Sequence, residues 1–120
     1  MQTREIPQDG WKEFLTSLSE AHRDEEVRVE VDGQALGEQP LVEGLTLMGV
    51  SMDPKGSLAG SIDVHVNTRG GVLDHRIEKP EHLWVEEDDR GELACLDIED
   101  QEQVKTLIFF GSERMGASGP

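Results

Sequence analysis

Apolar side chains along residues 7–22 return every three or four positions. Trp11, Phe14, Leu15, Leu18 and Ala21 with His22 share one face, while Lys12, Glu13, Thr16, Ser17 and Glu20 share the other. This spacing predicts an amphipathic helix whose apolar face must bury against a second layer. Pro7 suits its first turn, Asp9 the positive end of its dipole, and His22 and Arg23 the negative end. From Val27 the period shortens to two. Val27, Val29 and Val31 alternate with Arg28, Glu30 and Asp32, which predicts a half-buried antiparallel strand closed by a turn at Asp32-Gly33. Residues 44–52 read as a second strand, with Leu45, Leu47, Met48, Val50 and Met52 placing apolar groups on both faces, as a central strand would. Asp53-Pro54-Lys55-Gly56 supplies the next turn.

The following pair of strands constrains its own register. Ile62, Val64 and Val66 face one way and Ser61, Asp63 and His65 the other; after Arg69-Gly70-Gly71, the residues Leu73, His75 and Ile77 again share a face. If paired residue numbers sum to 139, Ile62 meets Ile77, Val64 meets His75 and Val66 meets Leu73, while Asp63 meets Arg76 and His65 meets Asp74 outside. A slip of one residue loses both matches. Pro80 ends this strand. Three more follow: one with Leu83 and Val85 inward, a turn at Asp88-Asp89-Arg90-Gly91, one with Ala94, Leu96 and Ile98 inward, and a last one over residues 104–110. In that last strand Leu107, Ile108, Phe109 and Phe110 pack on both sides or close a barrel.

The expected fold is therefore α+β and mainly β: an N-terminal amphipathic helix packed on an antiparallel sheet or small barrel of about seven short strands. Residues 1–110 form one globular domain and 111–120 a tail expected to be disordered.

Charge changes the picture of partners more than of fold. Asp and Glu number 26 against 11 Lys and Arg, a formal net charge of -15. Twelve Leu, ten Val, five Ile and three Phe make 30 of 120 residues, enough for a core, so the chain folds despite its charge. An anionic surface repels nucleic-acid backbones and anionic lipid, which argues against direct contact with either. The single Cys95 cannot form an internal disulfide, and no apolar run is long enough to span a bilayer, so a cytoplasmic protein is expected.

The stretches Arg4-Glu5-Ile6-Pro7, Trp11 with Phe14-Leu15 and His22, Val29-Glu30-Val31, Asp53 with Lys55-Gly56, His75 with Ile77 and Pro80, and Leu107 resemble a bacterial family of similar length. That family is known as domain of unknown function number fifty-three thirty-five. The resemblance implies a stand-alone bacterial domain and carries across no activity and no catalytic residues.

Candidate chemistry rests on few residues. His75 lies on the apolar face of its strand, where burial favours the neutral ring; a core histidine locking two strands is the favoured reading over a functional one. Asp63, His65 and Asp74 cluster outside and are weak candidates for a divalent metal, with a cross-strand charge pair as the simpler account. The acidic runs Glu86-Glu87-Asp88-Asp89 and Asp97, Glu99, Asp100, Glu102 lack calcium-loop spacing and read as a solvated rim. Gly56-Ser57-Leu58-Ala59-Gly60 is not a nucleophile elbow, and Cys95 reads as a buried small side chain. Trp84, on the wetter face, hints at an interface, although packing under the helix is the commoner explanation. No cofactor is implied. The leading expectation is a small acidic, non-enzymatic binding or accessory domain with a protein partner, either another protein or a second copy of itself. The alternatives are an acidic nucleic-acid mimic that binds a basic protein, and an enzyme or metal protein using His75 or His65.

Overall fold

A computed structural model describes residues 2–32, 34–35, 45–53, 60–68 and 70–111. The expected turn residues Gly33, Pro54, Lys55, Gly56 and Arg69, the residues Gly44 and Ser57, and the tail beyond Gly111 lie outside the described residues. The chain runs β1 (Gln2–Glu5), a 3-10 turn (Gln8–Gly10), α1 (Trp11–Ala21), β2 (Glu26–Val31), β3 (Gln34–Ala35), β4 (Leu45–Asp53), β5 (Ser61–Thr68), β6 (Gly71–Glu78), β7 (Pro80–Glu87), β8 (Leu93–Asp100) and β9 (Lys105–Phe109). All pairings are antiparallel, in the order β1-β7-β8-β9-β2-β4-β5-β6, with β3 hanging from β2. The expected mainly β architecture is what forms, as an open sheet rather than a closed barrel.

The seven expected strands are present, and β1 and β3 are additional. Both additions escape alternation. β1 has four exposed side chains and is held by the free edge of β7, from Gln2 opposite Glu87 to Glu5 opposite Trp84. Pro80 does not merely stop β6 but opens β7. The single residue between them, Lys79, takes φ +53, a left-handed conformation that turns the chain sharply.

β2 explains why one sheet can cover its own core. Its first residues, Glu26 and Val27, pair with β4, whereas Arg28 to Val31 pair with β9. The strand is thus the shared corner of two arms. Past that corner β4 loses its neighbour, and α1 takes its place: the Ser19 hydroxyl donates to the Val50 carbonyl at 2.9 Å and accepts from the Val50 N–H at 2.8 Å. Ser19 lies close over Gly49, where a Cβ would meet its Oγ at 3.6 Å, an ordinary contact distance. A register shift between Leu47 and Gly49 also explains the apolar groups assigned to both faces of this strand. Leu45 and Leu47 point inward before the bulge and Val50 after it, while Met48 is turned out and is 38 % exposed. β4 is central, as expected, but it is not buried on both faces.

The helix begins later than its periodicity suggests, because residues 8–10 form the tighter 3-10 turn and Gly10 precedes the first α-helical residue. Trp11, Leu15 and Leu18 are buried, and the Trp11 indole N–H donates to the Ile6 carbonyl at 2.8 Å, tying β1's exit to the helix. One core joins this face to Val27, Val29, Leu47, Ile62, Val64, Leu83, Val85, Leu96, Ile98 and Ile108. Burying a Leu or Val side chain stabilises a fold by about 1.5–3 kcal/mol, so these inward positions dominate the balance.

Candidate functional site

The β5–β6 pairing has the expected register throughout, from Ser61 opposite Glu78 to Thr68 opposite Gly71. The same register sets the contacts of the outer trio. Arg76 donates to Asp63 at 2.9 Å, and His65 Nδ1 lies 2.7 Å from Asp74 Oδ1 while its Nε2 lies 3.2 Å from Ser51 Oγ. Both ring nitrogens of His65 therefore have partners, and Asp63 faces a cation. Among the described residues no group of three or more His, Cys, Asp or Glu converges as metal ligands would.

His75 stands on the inner face, half-buried, with Nε2 3.4 Å from Thr106 Oγ1 on β9. Burial holds the ring below its ordinary pKa, opposed by the charge of Asp63. A cleft of about 390 Å³ opens beside it, lined by Arg76, Lys79, Asp100, Glu102 and Thr106 among others. Thr106 is only 2 % exposed, so its hydroxyl is not presented as a nucleophile. The contact spans the two arms of the sheet and fits a histidine that locks strands together.

A larger cleft, about 510 Å³, lies between α1 and the β7–β8 turn, over Phe14, Leu18, Val85 and Leu93. Its rim is internally satisfied. Glu25 Oε1 lies 2.6 Å from His22 Nδ1, and Glu25 Oε2 accepts the Gly111 N–H at 2.9 Å. The acidic runs are also partly structural. Asp88 Oδ1 accepts the N–H groups of Arg90 and Glu92, both at 2.9 Å, and Asp100 Oδ1 accepts those of Glu102 and Val104 at 2.8 and 3.0 Å. These two carboxylates build the turns on either side of β8.

Trp84 is not under the helix. Leu83 and Val85 occupy the inner face of β7, so alternation turns Trp84 outward, half-buried, opposite Glu5 on one side and Asp97 on the other. Its ring stacks on His82 at 4.9 Å, and the Lys105 ammonium lies 5.2 Å from its centroid. Across the same face run Asp97, Leu107 and Glu30 in one row, and Cys95, Phe109 and Arg28 in the next. Arg28 sits 4.4 Å over the Phe109 ring. Leu107 and Phe109 are half-buried and Cys95 is buried, its thiol pushed up to about 12 chiefly by burial. The outer face of β7, β8, β9 and β2 thus has an apolar middle inside a charged rim.

Asp97 lies in that middle. It is 7 % exposed; Lys105 Nζ approaches its Oδ2 at 3.4 Å, and among the described residues its buried Oδ1 has no hydrogen-bond donor. Burial raises the carboxyl above its ordinary pKa, Lys105 opposes this, and Glu86 and Glu99 push it further up. Reading the strand by alternation placed Asp97 on the wet side. The signal for its burial was the apolar character of its cross-strand neighbours Trp84 and Leu107.

Comparison with known proteins supplies kinship. The family described as "Family of unknown function (DUF5335)" matches residues 2–118. The chain belongs to this family. An uncharacterized protein of Aquifex aeolicus (strain VF5) is similar to this DUF5335 chain, 32% identical over 108 residues, which cover 90% of this chain and 91% of the relative. No solved structure matches. Among the described residues no helix is long and apolar enough to cross a membrane.

Proposed function

We propose that this DUF5335 protein is a non-enzymatic binding domain of the bacterial cytoplasm that meets a protein partner with the outer face of β7, β8, β9 and β2. The observation that carries this reading is the band of Trp84, Leu107 and Phe109, half-buried on the outer face of β7, β8 and β9. An apolar centre with aromatic anchors inside a charged rim is the anatomy of a protein interface. The acids on this face are interrupted by Trp84, Cys95, Leu107 and Phe109. That favours a mixed interface over the unbroken rows of carboxylate a nucleic-acid mimic needs.

The test is affinity capture from the source bacterium's lysate at low and high salt, with the wild type and with a Trp84→Ser/Phe109→Ser variant. A protein retained by the wild type and lost by the variant is the expected result. Equal recovery by both, or recovery of nothing, would count against the reading. Capture of a basic nucleic-acid-binding protein at low salt alone would favour mimicry.

A further inference from the structure

We propose that the Asp97 carboxylate, set between Trp84 and Leu107, is the seat for an arginine side chain of the protein partner. The inference rests on the binding reading above and names the chemistry at its centre. A carboxylate offers two oxygens, and a buried one is tolerated only when both are met by donors. Lys105 meets Oδ2 alone, from 3.4 Å, while Oδ1 stays unmet at a residue 7 % exposed. Lys105 is a poor fit for the role. Its ammonium is a point charge on a flexible stem, half of its side chain is exposed, and it reaches Oδ2 but not Oδ1.

A guanidinium differs in the relevant respects. Its planar fork of N–H groups matches both carboxylate oxygens, it is weakly hydrated, and it stacks on aromatic rings. The face already holds cations in this way, with Lys105 near the Trp84 ring and Arg28 over Phe109. The charge around the seat points the same way. Glu86 and Glu99 flank Asp97, Glu5 and Glu30 lie in its row, and among the described residues of this face Lys105 and Arg28 carry the fixed positive charge. An incoming arginine takes the place of the Lys105 ammonium, satisfies Oδ1 and Oδ2 together, and lies against Trp84. A second copy of the chain, itself at -15, is repelled from the same face.

The probes are a blocked leucyl-arginyl-leucine amide and the same peptide with neutral citrulline in place of arginine. Each is titrated into the full chain and followed by backbone and indole NMR shifts. The arginine peptide is expected to move the Trp84 indole and the Asp97 and Leu107 amides, and the citrulline peptide to bind about tenfold more weakly. Asp97→Asn, whose own spectrum reports whether it is folded, should weaken the arginine peptide by about tenfold, and Lys105→Ala, which vacates the seat, should strengthen it. Equal binding of the two peptides at this face would overturn the arginine seat while leaving an apolar docking surface. No shift with either peptide, in wild type and Lys105→Ala alike, would also overturn it. The capture experiment with the Trp84→Ser/Phe109→Ser variant then judges the broader reading by itself.

Discussion

His75 shows how a single inward residue links packing to pH. Its ring is kept below the ordinary histidine pKa by burial, so the unfolded chain takes up a proton before the native protein does. Stability at this residue is intact above about pH 6.5 and declines as pH falls toward the lower folded value, where it levels off. His82 works in the opposite sense. Its hydrogen bond to Glu5 raises its pKa, giving a contribution present below about pH 6.5 and lost as pH rises through the folded value. His75→Ala is therefore expected to lower stability by about 1–2 kcal/mol at pH 7.5. The gap to wild type should narrow at about pH 5 in thermal denaturation. An unchanged melting temperature at both pH values would refute the locking role. The inward side of His75 was legible from alternation alone, as was the outward side of Trp84. The burial of Asp97 was not, because alternation assigns a face without saying how dry that face is.

Elements are specified to different degrees, and the β5–β6 hairpin is the best specified of them. Its two faces each impose a match, apolar against apolar and acid against base, so only one register satisfies both. The start of α1 was less legible, because Pro7 and Asp9 serve a 3-10 turn as well as an α-helical one. The bulge in β4 was invisible for a different reason: a one-residue insertion reverses alternation and imitates a strand apolar on both faces. Ser19 is what that bulge brings into play. Its hydroxyl is the partner of both the N–H and the C=O of Val50, on a stretch of β4 that β2 has already left. Ser19→Ala strands both groups against the helix and should cost about 1–3 kcal/mol in chemical denaturation. A loss within about 0.5 kcal/mol would mean that water replaces the hydroxyl there.

At the scale of the whole molecule, the fold class followed from one helical period and then a run of two-residue periods. The strand order did not, since it depends on which edges meet after β2 divides its pairing between β4 and β9. Some of the acid has assigned work at Asp63, Asp88 and Asp100, yet the net charge remains -15. Self-repulsion of that size weakens the compact state and is screened by salt. Raising sodium chloride from about 0.02 M to about 0.5 M is expected to raise the melting temperature, a direction that scanning calorimetry reads directly. A fall would show that attractive pairs such as Asp63 with Arg76 outweigh the repulsion.

β1 has a consequence for how such a protein can change over time. Its four side chains all face solvent, and its ladder to β7 is made of main chain. Substitutions within it, other than to proline, leave that ladder intact. This border of the sheet is held first by backbone, with Glu5–His82 and Arg4–Glu87 pairing across it at the surface. Exchange of these surface pairs would still leave a strand beside Trp84.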